Sequence, residues 1–167
     1  MADQGETPTE NEEMGDLTIE DAPLDITHQY IKDLSFENPQ SPQFIVEADA
    51  TPEIALHINA KSKPIGDRRF EVTLLLEATA RHNEEVVFVV ELQYSGHVVI
   101  GDVEDEHIQP LLLIEAPRLL FPFARQILSD TVRNGGFPPL LLNPVDFMDI
   151  YAQGTAVASE DEQEETD

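Results

Sequence analysis

Five histidines, His28, His57, His82, His97 and His107, are the side chains most suited to metal or proton chemistry, and they are dispersed along the chain. No two stand four residues apart and there is no HExxH, so the spacing predicts surface or edge imidazoles and no metal site. The acid run DVEDEH, Asp102–His107, offers carboxylates to calcium but lacks the glycine and closing glutamate of an EF-hand loop. It reads as a solvated helix start. The chain has no cysteine, which removes thiolate nucleophiles, thiolate metal sites and disulfides and fits a reducing compartment. There is no GxSxG, Walker loop or GxGxxG. With 34 acids in the chain, a pair of carboxylates says nothing about acid–base catalysis. No catalytic residue, metal or cofactor is expected.

What stands out is apolar. GGFPPLLLNPVDF, Gly135–Phe147, holds two glycines, three prolines, two phenylalanines and three consecutive leucines. It is too irregular for a helix or central strand and too greasy for an ordinary solvated loop. Two readings stand open: a loop folded back over a sheet edge, or a binding groove or oligomer seam that works through adaptable apolar contacts.

The elements that must position this loop follow from periodicity. Four segments alternate as strands: Ile26–Glu37, Glu53–Ala60, Arg69–Arg81 and Val86–Ile100. In the first, strict alternation sets Ile26, His28, Tyr30, Lys32, Leu34 and Phe36 on one face and Thr27, Gln29, Ile31, Asp33, Ser35 and Glu37 on the other. In the third, Phe70, Val72, Leu74, Leu76, Ala78 and Ala80 share the apolar face. In the fourth, Val86, Phe88, Val90, Leu92 and Tyr94 do so, leaving Leu75, Val87 and Val89 on the otherwise polar side. One polar face per strand predicts an antiparallel sheet covered on one side. Helical signals come afterwards. Glu104–Ala116 starts with acids, although Pro110 falls near its first turn. A clearer helix begins with Pro122 in its first turn, carries the stripe Phe123, Ala124, Ile127, Leu128, Thr131 and Val132, and stops at Asn134-Gly135; a short last helix begins near Pro144. Strands followed by helices predict an α+β fold.

Charge divides the chain further. Residues 1–23 contain eight acids and residues 159–167 six, neither with a lysine or arginine; removing these 14 from the 34 leaves 20 acids against 9 basic residues. The two ends read as disordered acidic tails (1–23 and 159–167) around one folded domain, residues 24–158. So acidic a chain argues against nucleic acid and anionic membrane as partners and favours a partner with basic segments. The N-terminus lacks the basic start and apolar middle of a signal peptide, and no apolar run approaches the ~20 residues that span a bilayer, so a cytosolic protein without membrane insertion is expected.

YIKDLSFENP (Tyr30–Pro39), FVVELQYSG (Phe88–Gly96) and EAPRLLFPFARQILSDTVRNGGFPPLLLNPVDF (Glu115–Phe147) together resemble the SecB family of bacterial protein-export chaperones, over about Ile26 to Tyr151. The resemblance implies a four-stranded antiparallel sheet with helices on one face, in agreement with the periodicity. It also implies a homotetramer, a dimer of dimers, with Val90, Leu92 and Tyr94 near the helix-mediated interface. It further implies an ATP-independent cytoplasmic holdase that binds unfolded secretory precursors and delivers them to the export motor SecA. The family's SecA-contacting positions match Asp33, Glu37, Val89 and Glu91, acids suited to the basic, zinc-binding tail of SecA, whose zinc does not belong to this chain. Phe137, Leu140, Leu141 and Leu142 become client contacts. Relatives often carry a tryptophan before the second strand; this chain reads EADATPEI there and has no tryptophan, so Phe44 is taken as the aromatic client contact. An enzyme would need a convergent polar site that the sequence does not offer. A SecB-like chaperone dedicated to a toxin–antitoxin partner is the alternative, and retention of the acids at 33, 37 and 91 favours general export.

Overall fold

The computed structural model describes residues 22–43 and 51–154. Phe44, residues 1–21 of the N-terminal tail and the whole C-terminal tail lie outside the described residues. Four long strands, β1 (Leu24–Glu37), β2 (Glu53–Gly66), β3 (Arg69–His82) and β4 (Glu85–Ile100), form one antiparallel sheet in the order β1-β4-β3-β2. Two-residue turns join β2 to β3 and β3 to β4. In the second, Asn83 and Glu84 have φ of 49° and 67°, the pair of positive values that matches a hairpin turn to the twist of its strands. Arg68, at φ 50° in the first, turns its guanidinium onto the carbonyl oxygens of Gly101 and Val103, at 2.5 and 2.8 Å from one nitrogen. It thereby anchors the chain where β4 gives way to the helices.

The β1 ladder departs from strict alternation. Bulges between Ile26 and His28 and between Ile31 and Asp33 shift the register. Each extra residue reverses the faces that follow. Gln29 and Ile31 therefore pair with Gly96 and Tyr94 on the helix side, while His28 and Tyr30 pair with His97 and Ser95 on the open side. The expectation that His28 and Tyr30 share a face with Ile26 is corrected by this pair of bulges. Val87 is corrected likewise. It sits at a third bulge, opposite the step from Ala80 to Arg81, and is fully buried in the core.

After β4 come α1 (Asp105–Pro110), a π-helical turn (Leu111–Glu115) and α2 (Ala116–Asn134). The backbone stays helical across both junctions. Pro117, not Pro122, occupies the first turn of α2, and Pro122 lies inside it. A proline ring crowds the carbonyl four residues back and has no N–H to give it. The π turn, in which the Ala116 N–H donates to Leu111 five residues back, loosens the helix just where Pro117 would press on Leu113. The helix persists because Leu112, Ala116, Leu120, Ala124, Leu128 and Val132 form one fully buried stripe. Three leucines at about 1.5–3 kcal/mol each outweigh a proline penalty of about 3 kcal/mol. Phe123, expected in that stripe, is 52% exposed on the outer side. Gly96 lets α2 approach the sheet, since a Cβ there would lie 3.0 Å from Leu120 and 3.2 Å from Ile26.

Candidate functional site

The open side of the sheet carries the acids. Glu37 pairs with Val89, Ser35 with Glu91 and Asp33 with Gln93 across the β1–β4 ladder, so Asp33, Glu37, Val89 and Glu91 form one continuous patch. The Ser35 hydroxyl donates to Glu91 at 3.3 Å. On the other flank Glu77 of β3 stands directly opposite Glu91. Asp33, Glu77 and Glu91, with Leu75, Gln93 and His57, line a shallow concavity of about 600 Å³ that the last helix also borders. Among the described residues none of Asp33, Glu37, Glu77 and Glu91 forms an ion pair. Four uncompensated carboxylates around two apolar side chains favour a basic, partly apolar ligand.

Further along the same face the charges are compensated. Glu71 accepts from Lys32 at 2.5 Å and from the Tyr30 hydroxyl, with Lys63 at 3.9 Å. The bonds from Lys32 and Tyr30 hold the Glu71 carboxyl below its usual range, against the opposing effect of burial. Burial first, and the Glu71 carboxylate next, push the Tyr30 hydroxyl up to about 12. Beneath Tyr30 lies a buried hydroxyl pair, Thr73 and Ser95, 2.8 Å apart.

The irregular apolar segment is built on two buried rings. Helix α2 ends in a Schellman arrangement, the Gly136 N–H donating to Arg133 and the Phe137 N–H to Val132, with Gly136 at φ 93°. That turn drives Phe137 into the core, its ring 4.8 Å from Phe88. Gly135 passes directly beneath Phe36, whose ring leaves no room for a Cβ, the nearest atom falling at 2.2 Å. At the far end the Asp146 carboxylate accepts from the Met148 N–H at 2.9 Å, capping a last helix, α3, over residues 147–154. Phe147 is buried edge-on against Phe121. Between these anchors Leu140 and Leu142 are half-buried against the core, the Leu142 carbonyl accepts from Arg125 at 3.3 Å, and Leu141 is 82% exposed. As a contact for another chain Phe137 is therefore corrected: the helix-capping turn makes it core. Leu141, with Met148 nearby in sequence at 62% exposed, is what the loop presents.

Val90, Leu92 and Tyr94 are buried within this single chain. The Tyr94 hydroxyl is satisfied by Gln29 at 3.1 Å. The apolar surface left open on the helix side is instead Leu119 and Phe123 on the outer face of α2, Ile31 and Leu34 on edge strand β1, and Ile54 and Leu56 on the opposite edge strand β2. At α1, Glu104, Glu106 and His107 bring ligand atoms within 4.8 Å of one another, all exposed. This is the solvated helix start expected from DVEDEH. No helix among the described residues is long and apolar enough to cross a membrane.

With the sheet, the acid patch and the anchored loop defined, comparison with known proteins decides the family. Residues 18–158 match the model of the family described as preprotein translocase subunit SecB. The chain belongs to the SecB family. It is 48% identical over 133 residues to the protein-export protein SecB of Mesorhizobium japonicum, covering 80% of each chain. It is 50% identical over 130 residues to that of a Bradyrhizobium strain, covering 78% of this chain and 80% of the relative. Among solved structures, a SecB-like chaperone of Mycobacterium tuberculosis in complex with an antitoxin peptide superposes with a TM-score of 0.57 at 15% identity, over 74% of this chain and 91% of that one. That similarity establishes the shared α+β fold. SecB membership makes the chain a protein-export chaperone and not an enzyme.

Proposed function

We propose that this chain is an ATP-independent holdase of the bacterial cytoplasm that keeps newly made secretory precursors unfolded and delivers them to SecA. The observation that carries the reading is the segregation of two surfaces within a SecB-family fold. Uncompensated acids at Asp33, Glu37, Glu77 and Glu91 occupy the open sheet face, while exposed apolar side chains gather on the helix side and on the loop. A basic tail of SecA suits the first through Asp33, Glu37, Val89 and Glu91; unfolded chain suits the second through Leu141 and the half-buried Leu140 and Leu142. The toxin–antitoxin alternative rests on likeness of fold at 15% identity, whereas relatives at 48–50% identity are export proteins.

Assembly as a dimer of dimers completes the reading. Leu119, Phe123, Ile31 and Leu34 are the apolar residues that a second copy would cover, and Val90, Leu92 and Tyr94 support that surface from beneath. The acidic tails, 1–23 and 159–167, lie outside the chaperone domain of residues 24–158 and are dispensable for holding clients. Native mass spectrometry with and without an unfolded precursor tests the proposal. A tetramer that gains one precursor mass is expected. A monomer, or a tetramer that neither gains precursor nor slows its aggregation, overturns it.

A further inference from the structure

One row on the open face is not absorbed by the export function. The ladders set Lys63, Glu71, His97 and His28 side by side across all four strands. The bulge between Ile26 and His28 turns His28 onto this face, directly opposite His97. Their ring centroids are 5.8 Å apart with planes inclined at 64°. Two imidazoles that each place a nitrogen about 2.0–2.1 Å from one tetrahedral ion bring their centroids to roughly 5 Å, a separation that the observed pair reaches by a small rotation of the exposed His28 ring.

The hydrogen bonds around His28 also prepare it as a ligand. Thr27 Oγ1 donates its single proton to the His97 carbonyl at 3.4 Å. The same oxygen lies 3.3 Å from His28 Nδ1; in the tautomer that carries its proton on Nδ1 it accepts there, which leaves the lone pair on Nε2. A ligating histidine is oriented in this way, with one ring nitrogen donating to a fixed oxygen and the other open. Among the described residues no hydrogen bond occupies His28 Nε2 or either ring nitrogen of His97. The perpendicular Tyr30 ring, 5.5 Å from His97, restrains that imidazole from the other side. Glu71 is held by Lys32 and Tyr30, which leaves the imidazoles as the available donors.

We propose that His28 and His97 form a two-imidazole site for a late first-row divalent cation, of which Zn²⁺ is the probe, with water completing the coordination shell. Imidazole nitrogen favours zinc, copper and nickel over calcium and magnesium. Bound there, the ion ties edge strand β1 to β4 and stabilises the folded chain by mass action. The site is distinct from the acid patch: His97 is six residues from Glu91 along β4, roughly 20 Å at about 3.4 Å per residue.

Titration calorimetry of the full chain with ZnCl₂ tests this in excess CaCl₂, which occupies carboxylates without competing for imidazole. One Zn²⁺ site per chain is expected, together with a rise in thermal midpoint. His28→Asn and His97→Asn should each remove that site while leaving the far-UV circular dichroism unchanged. Thr27→Val, which keeps both ligands and loses the orienting hydroxyl, should weaken it about 10–100-fold. A His28→Asn/His97→Asn double variant that keeps the parent stoichiometry and affinity overturns the proposal. A measurement on the unmodified protein does not depend on variants folding: substoichiometric Cu²⁺ should broaden the imidazole proton resonances of His28 and His97 before those of His57, His82 and His107, and broadening that begins elsewhere also overturns it.

Discussion

Glu77 and Glu91 face each other directly across the β3–β4 ladder on the open side of the sheet, with no cation paired to either among the described residues. Like charges at opposed ladder positions are destabilising, so the free chain maintains this arrangement at a cost. A basic partner segment relieves it.

Replacing Glu91 with lysine tests that relief. The new ammonium faces Glu77, so stability in denaturant should hold or rise by about 0.2–1 kcal/mol. Calorimetry with the SecA tail should show binding lost, more completely in the Glu37→Lys/Glu91→Lys double variant. Capture of an unfolded precursor should survive in both. Unchanged affinity for the tail would remove these acids from the SecA site.

The compensated cluster makes a pH prediction of opposite character. Glu71 has a lowered folded pKa, so its contribution is present above the unfolded value of about 4.3 and is lost as pH falls through the folded one. Tyr30 is raised to about 12, so its contribution is complete below about pH 10 and is lost as pH rises through about 12. Tyr30→Phe removes a bond to a charged acceptor, worth about 1.5–3 kcal/mol. The folded pKa of Glu71 should then lie closer to its unfolded value, so the acid limb of the stability curve should be smaller and end at higher pH than in the parent, and the alkaline limb should weaken. Urea midpoints taken across the pH range check both limbs.

How legible was this molecule beforehand? All four strands stand within a few residues of where alternation places them, apart from a longer β2, because a one-sided sheet imprints its period on every residue. The acid patch was legible through the SecB likeness, and the ladder then brought Glu77 to it. Bulges were not legible: inserting Thr27 and a residue near Lys32 into β1 leaves composition untouched yet reverses four side chains. The His28–His97 pair was missed for the same reason, since residues 69 apart meet only through the ladder register. The helix signals misled at Pro122, because local propensity reads a proline as a start while the buried stripe from Leu112 to Val132 overrides it.

Assembly should depend on Phe123 and Leu119, and folding on Leu92. Leu119→Lys/Phe123→Lys places charges on side chains about half exposed in the single chain, so light scattering should show a smaller species with native circular dichroism. Leu92→Lys buries an unpaired charge in the chain's own core and should cost several kcal/mol of folding free energy. A folded dimer from Leu92→Lys would place that residue at an interface after all.

The loop separates client binding from stability at neighbouring positions. Leu141 is 82% exposed, so Leu141→Ser should change folding free energy by no more than about 0.5 kcal/mol. If that side chain exists to cover apolar groups of a client, precursor affinity should fall while the denaturant midpoint stays put. Phe137 is the internal control. Its ring is clasped between Phe36 and Phe88, and Phe137→Ala should cost about 3–5 kcal/mol, releasing the turn that ends α2 and aims the loop. Denaturant unfolding and precursor binding measured on both variants distinguish the roles. Leu141→Ser with parental affinity would leave the exposed leucine without a client role, and would move the search for the holding surface to the half-buried Leu140 and Leu142.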